Sequence, residues 1–239
     1  MSFRVIIPAR LGSSRLPNKP LKDIDGKTLI QRVVDQAKKS NAKSVHVATD
    51  SNQIIDHCVQ IGANAILTKV HHHTGTDRLS ESCEILKFKS DELIINVQGD
   101  EPFIDPKDID NLAVLADSRA ANMVTLYTDL IKDEVADRNV VKLWIKCQDK
   151  VEDFSRNATH LEPSMAKKHL GIYGYKVDFL HTFVEWKQSK NEIDRDLEQM
   201  RAMDNGEDIF AIKSSGQYHL GVDTESDLQR AIEIAKKLS

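Results

Sequence analysis

Short apolar runs alternating with stretches of helical periodicity constrain this chain more than any other feature. Residues 5–8, 44–48, 65–68 and 93–97 read as strands. Between them Leu29, Ile30, Val33, Val34 and Ala37, then Ile54, Ile55, Cys58 and Val59, then Leu79, Cys83 and Leu86 recur at the spacing of one helix face. The first of these helices is expected to begin near Lys27, and Gly62 marks the end of the second. Residues 93–97 are apolar almost throughout, as a strand covered on both faces must be. Strands that alternate with helices predict an α/β fold with a doubly wound, mostly parallel sheet.

The second half is less regular. Residues 140–147, 151–155 and 169–176 read as strands with no helix between them. Leu180, Phe183 and Val184 predict a helix, as do Leu197, Met200 and Met203, closed by Gly206. A strand at 209–213 and a helix at 224–238 follow. No Gly/Ser-rich or Pro-rich linker divides the chain, so residues 1–239 read as one domain with an inserted antiparallel segment at 127–176.

The first strand runs into a loop that carries Arg10, Arg15 and Lys19 among small residues. Cations at the carboxyl end of a strand can hold a polyanion, and a nucleoside triphosphate is the obvious one. The alternative is a solvated connection. The loop has one glycine, Gly12, so it is neither a P-loop nor a dinucleotide-binding turn. Phosphates would be held there by side-chain charge as much as by backbone N–H groups. The positive charge is local, because 33 Lys and Arg against 37 Asp and Glu leave a net charge of −4. Such a surface repels nucleic acid, and 5% aromatic residues are too few for base-stacking platforms. No run approaches the roughly 18 apolar residues of a membrane span, and no signal-peptide pattern precedes the first strand. Cys58, Cys83 and Cys147 are odd in number and widely spaced. They are expected to be small core residues in a reduced, cytoplasmic compartment.

Asn96-Val-Gln-Gly-Asp-Glu-Pro102 follows the strand at 93–97, which puts Asp100 on the same rim as Arg10 and Lys19. A carboxylate beside a triphosphate suits Mg²⁺; a plain tight turn is the alternative. In Gly221-Val-Asp-Thr-Glu-Ser-Asp227, Thr224 and Asp227 have the spacing of a capping box. That leaves Asp223 free to be a second metal ligand. His71, His72 and His73 are adjacent, so their side chains diverge and zinc is disfavoured. Thr74-Gly75-Thr76 reads as a loop and N-cap whose polar groups could meet a base or ribose. Phe154-Ser-Arg156, His169 to Tyr175 and Leu197-Glu-Gln-Met-Arg201 have structural alternatives that spacing alone does not exclude: an exposed Arg, a sheet histidine and a polar helix face.

Taken in order, these motifs are similar to those of the 3-deoxy-manno-octulosonate cytidylyltransferases, or CMP-Kdo synthetases. Ile7 to Leu21 resembles the family's nucleotide loop. Val47-Ala-Thr-Asp50, Thr74 to Arg78, Asn96 to Pro102 and Asn139-Val-Val-Lys142 follow in the family's order. Phe154 to Arg156, His169 to Tyr175, Leu197 to Arg201 and Gly221 to Thr224 complete the set. The resemblance covers nearly the whole chain. It implies a Rossmann-like nucleotidyltransferase that joins CTP to a 3-deoxy-2-keto sugar acid with Mg²⁺, releasing pyrophosphate, as a cytoplasmic homodimer in lipopolysaccharide synthesis. It implies that Arg10, Arg15 and Lys19 bind the triphosphate, that Gln98, Thr74 and Gly75 hold the cytidine, and that Ala9 also belongs to the nucleotide site. Asp100 and Asp223 would bind metal, making Lys19, Asp100 and Asp223 the catalytic set. Arg78, Arg156, His169, Tyr173, Glu198 and Gln199 would face the sugar acid. The reaction would be direct displacement by the sugar's anomeric hydroxyl at the α-phosphate.

The departures lie on the sugar side. The family's usual Leu-Tyr-Phe-Ser-Arg-Ala-Pro-Ile-Pro is replaced by Glu152-Asp-Phe-Ser-Arg-Asn-Ala-Thr159. The stretch from Arg156 to His169 is short and lacks the usual Arg-Asp pair, and the run before Leu197 is altered too. The open readings are therefore Kdo itself, a modified form such as 8-amino-Kdo, another keto-sugar acid such as a nonulosonate, or a CTP-binding module without turnover.

Overall fold

In the computed structural model, which describes residues 2–72, 74–158 and 160–238, the first strand explains the apolar runs. (His73 and Thr159, which two of the motifs include, lie outside the described residues.) β1 (Phe3–Ala9) sends Val5 and Ile7 into the core of one sheet face and Ile6 into the core of the other. All three are fully buried, each contributing about 1.5–3 kcal/mol. After the loop, β2 (Asp23–Ile24) and β3 (Lys27–Thr28) form a small hairpin. α1 (Leu29–Ala37) starts at Leu29 rather than near Lys27, because Lys27 pairs with Ile24 in the hairpin and Thr28 caps the helix by accepting the Gln31 N–H.

β4 (Val45–Thr49), α2 (Asn52–Gln60), β5 (Asn64–Leu67), α3 (Gly75–Ile85) and β6 (Leu93–Asn96) follow as expected. Residues 98–139 carry no element in the sequence reading, yet α4 (Pro106–Ser118) and β7 (Met123–Asp129) lie within that span. Ile109, Leu112, Ala113 and Ala116 do form a helical stripe, but the buried face opens with a carboxylate, Asp108. β8 (Lys142–Ile145), β9 (Val151–Ser155) and β10 (Lys167–Lys176) come next. α5 (Val177–Glu185), α6 (Lys190–Arg195), α7 (Met200–Asp204), β11 (Ile209–Lys213) and α8 (Glu225–Leu238) complete the chain.

The main sheet runs β11-β7-β10-β6-β1-β4-β5. β6, β1, β4 and β5 are mutually parallel, as are β7 and β11, while β10 runs antiparallel between β6 and β7. The antiparallel strands expected within 127–176 are thus tied into the main sheet through β10, with β8 pairing β10 and β9 pairing β8. Gly174 permits this insertion, since a β-carbon there would lie 2.7 Å from Val124 Cγ2 and 2.9 Å from Ile95 Cδ1. α1, α2 and α4 cover one face and α3, α5 and α7 the other. α8 packs with Leu16, Ile24, Leu29 and Phe103 in a third cluster beside the loops that carry the site.

Cys58 and Cys83 are buried, and burial raises their thiols to about 11 and about 12. Cys147 is exposed, contrary to expectation. β8 ends at Ile145, and the chain reverses through Gln148 and Asp149 at φ 60° and 64°, which holds Cys147 at a surface turn.

Candidate active site

Because β1 and β6 are parallel neighbours, their carboxyl ends deliver two loops to one rim. Gly99 makes the approach possible, since a β-carbon there would stand 2.6 Å from the Pro8 carbonyl oxygen. A third segment arrives from the C-terminal part of the chain, where the Val222 N–H donates to the Asp100 carbonyl at 2.9 Å. At the next residue, Asp223 faces the N-terminal loop. Thr224 and Asp227 form the expected box, Thr224 N to Asp227 Oδ2 at 3.0 Å and Asp227 N to Thr224 Oγ1 at 3.2 Å.

The three segments meet at Lys19. Its Nζ donates to Asp100 Oδ2 at 2.8 Å and to Asp223 Oδ1 at 2.9 Å, and Arg15 Nη2 lies 3.1 Å from Asp223 Oδ2. Burial pulls the Lys19 ammonium down, but Asp100 and then Asp223 outweigh it and raise its pKa. Burial likewise pushes Asp223 up, and the bond and charge of Lys19, then Arg15, hold it below the usual carboxylate range. Two carboxylates that converge on one ammonium also fit a divalent cation. Their hard oxygens are what Mg²⁺ takes, in sets of one or two carboxylates completed by water and phosphate. No cluster of three or more His, Cys, Asp or Glu side chains suited to a metal occurs among the described residues.

This rim borders a cavity of about 410 Å³. Ala9, Arg10, Arg15 and Lys19 line one part of it; Gln98, Asp100 and Asp223 another; Thr74 and Gly75 a third. Thr74 is the N-cap of α3 in a full capping box with Asp77. His72 also lines the cavity, with Nε2 2.5 Å from Glu81 Oε2.

A second cavity of about 430 Å³ lies across Gln98, which borders both. Gln98 Nε2 donates to the Gly171 carbonyl at 3.1 Å. Arg156, His169, Tyr173, Glu198 and Gln199 line this second space together. Arg156 Nη2 reaches Asp196 at 3.1 Å to the carboxylate and 3.0 Å to the carbonyl. Glu198 is raised by burial, against the opposing bonds of Thr76 and Thr74 and the charge of Arg201. Its Oε2 accepts from Thr76 Oγ1 at 2.7 Å. Arg201 holds the turn that presents Glu198 and Gln199, since its guanidinium is clasped by Glu192 at 2.8 and 2.5 Å in a buried pair. His169 is lowered to about 3 by burial, with Nε2 3.0 Å from Thr125 Oγ1, while part of the residue still lines the cavity.

Arg78 is not brought to the second cavity. It lies in the wall of the first, its side chain buried, donating to Asp50 Oδ2 at 2.8 Å and to Thr68 Oγ1. Residues 139–141, Lys168 and Asp196 line the second cavity without having been singled out for it. Residues 139–142 form one of the ordered motifs, the one local signal available. Lys168 sits one residue before the His169 motif, and its Nζ pairs with Glu134 at 2.6 Å.

An open, mostly parallel sheet whose rim opposes a cationic loop to two converging carboxylates defines an α/β nucleotidyltransferase. A family model described as cytidylyltransferase matches residues 4–209. The 3-deoxy-manno-octulosonate cytidylyltransferase of Idiomarina loihiensis is 40% identical, over 98% of this chain and 99% of its own. The protein of the same name from Proteus mirabilis is also 40% identical, over 95% and 94%. The solved structure of CMP:2-keto-3-deoxy-manno-octonic acid synthetase complexed with CTP superposes with a TM-score of 0.92 at 34% identity, covering 100% of both chains. The chain belongs to the 3-deoxy-manno-octulosonate cytidylyltransferase family.

Proposed function

We propose that this enzyme transfers CMP from CTP to 3-deoxy-manno-octulosonate or a close variant, releasing pyrophosphate, in lipopolysaccharide synthesis. The observation that carries the reading is the meeting of Lys19, Asp100 and Asp223 at the rim of one cavity, with a second polar cavity joined to it at Gln98. The first cavity would take CTP, with its triphosphate along Arg10, Arg15 and Lys19 and its cytidine toward Gln98, Thr74 and Gly75. The second would take the sugar acid against Arg156, His169, Tyr173, Glu198 and Gln199.

Gln98 then stands where the two substrates meet. The sugar's anomeric oxygen attacks the α-phosphorus, the bond to the β-phosphate breaks, and pyrophosphate leaves with the bonding pair while the hydroxyl proton passes to solvent. Lys19, charged throughout the neutral range, neutralises the leaving group, and the two cavities align the reacting atoms. A divalent cation on Asp100 and Asp223, when bound, would neutralise phosphate charge and lower the pKa of the attacking hydroxyl. In this reading Arg78 supports the nucleotide wall through Asp50 instead of touching the sugar.

The enzyme is read as a cytoplasmic homodimer. Ile131, Val135, Leu161 and Met165, all exposed within 127–176, support pairing through that segment, and sedimentation tests it. No helix among the described residues is long and apolar enough to cross a membrane. The decisive assay is pyrophosphate release by Asp100→Ala with CTP, Mg²⁺ and Kdo. A loss of about 10²–10³ is expected, the scale of removing one preorganised transition-state contact. Undiminished release would overturn the reading. A panel of Kdo, amino-Kdo and nonulosonate acceptors then fixes the sugar.

A further inference from the structure

Asp108 is a carboxylate with no solvent exposure, in the first turn of α4, and the chemistry above makes no use of it. An ionised side chain in that position is costly unless its oxygens are satisfied. Here they are satisfied by a single distant segment. Ser214 Oγ donates to Asp108 Oδ2, and Ser215 donates to Oδ1 through its N–H at 2.7 Å and its hydroxyl at 2.9 Å. Ser214 Oγ in turn accepts the Gly216 N–H at 3.0 Å. Gly216 is closely packed, since a β-carbon would lie 3.2 Å from Asp105 Cβ and from His219 Cε1 and 3.3 Å from Asp108 Oδ2, so these neighbours would have to give by a few tenths of an ångström.

The segment held this way is the connection from β11 to α8. Residues 214–224 have no helix or strand of their own, and they carry Asp223. Nothing regular in the fold therefore sets the position of Asp223. It is held by the Ser214 N–H on the Tyr127 carbonyl and by Asp108 at the start, by buried Leu220 and Val222 and the Val222 N–H on the Asp100 carbonyl near the end, by Lys19 and Arg15 on Asp223 itself, and by the Thr224–Asp227 box beyond it. Asp108 follows Asp100 by eight residues in the one segment that leaves β6. It thus ties the piece of chain that bears one rim carboxylate to the piece that bears the other.

We infer that Asp108 is a positioning residue for the reaction, acting through the 214–224 connection to hold Asp223 opposite Asp100 and Lys19. The inference rests on the role given to Asp223 above. It explains why a buried carboxylate heads the apolar stripe of α4, where a leucine would add core. Its effect should be confined to turnover and to the docking of one loop, leaving the sheet and the cationic wall of the CTP cavity in place.

The test is a double-mutant cycle in the whole enzyme, read by pyrophosphate release and by amide hydrogen exchange without metal. Asp108→Ala should lower kcat by about ten- to a hundredfold, the cost of misplacing a group by about an ångström, with the KM for CTP little changed. In the Asp223→Ala background the same substitution should change kcat by less than about twofold, because the residue it positions is gone. The Val222 amide should exchange faster in Asp108→Ala while amides in β6 and the middle of α8 do not. Ser214→Ala with Ser215→Ala should reproduce both effects in an enzyme that keeps the carboxylate. If the Asp108 and Asp223 losses multiply, or if Val222 exchange is unchanged, Asp108 does not act through Asp223 and the inference fails. If Asp223→Ala alone turns over normally, the role of Asp223 fails first and takes this inference with it.

Discussion

The two cavities share Gln98 but are built on opposite plans. The first is set by parallel ladders: β1 and β6 fix where their loops emerge, and the charges there already satisfy one another as Lys19 with Asp100 and Asp223, and Arg15 with Asp223. The second is assembled from the antiparallel strands and the turn between α6 and α7. Among the described residues it keeps Glu198 Oε1, Gln199 Nε2 and Arg156 Nε buried with no hydrogen-bond partner. A buried polar group left unpaired costs about 1–3 kcal/mol. Apart from exposed Arg10, the first region is thus a set of paired charges that a triphosphate must reopen. The second holds polar groups whose partners would arrive with a ligand.

The strongest attack on that comparison removes the centre of the closed set. Lys19→Met should cut pyrophosphate release by about 10³ or more, since the phosphates lose a preorganised cation. It should also tighten divalent-cation binding, because Asp100 and Asp223 then face each other without the ammonium. A Lys19→Met enzyme that loses turnover but binds Mn²⁺ no better would show that the carboxylates do not act as a pair. Arg156→Ala tests the open set and should be milder. Losing a charged hydrogen bond worth about 1.5–3 kcal/mol should raise the KM for the sugar acid ten- to a hundredfold, with the KM for CTP unchanged. Equal changes in both KM values would erase the distinction between the cavities.

The same contrast governs what could be read from the chain alone. On the nucleotide side the signals were local. A strand ran into cations, a second strand ran into Asp100, and a capping box left Asp223 unassigned; the structure brings all three segments to Lys19. On the other side no local pattern betrays Asp196 or Lys168. Asp196 reaches the cavity only because the α6–α7 turn folds over β9 and β10. The resemblance puts Arg78 with the sugar, yet its charge is spent on Asp50, a strand-end partner 28 residues away that spacing does not reveal. Asp108 puts a carboxylate at the head of the buried face of α4, and its reason lies more than 100 residues later, at Ser214 and Ser215. The strand order shows the same limit. Apolar runs identify β10 as a strand, but its antiparallel place between β6 and β7 depends on long-range pairing and on the small Gly174.

The smallest expected effect concerns acid stability, and it separates the regions by pH. Burial lowers His169 from 6.5 to about 3, so the folded protein takes up this proton less readily than the unfolded chain. The stability from a neutral His169 is whole above pH 6.5 and drains away as pH falls from there toward about 3. Asp223 is lowered from 3.8, so its pairing with Lys19 contributes above that value and is lost only as pH falls through the depressed one. Between pH 6.5 and 4 the second region should therefore soften while the first stays paired. Thermal melting across that range should show a shallower decline for His169→Gln than for the parent enzyme, and an unaltered slope for Asp223→Asn. A His169→Gln enzyme as acid-sensitive as the parent would mean that the ring is protonated without cost, and that the floor of the second cavity is wetter than its packing against Phe154 and Tyr173 implies.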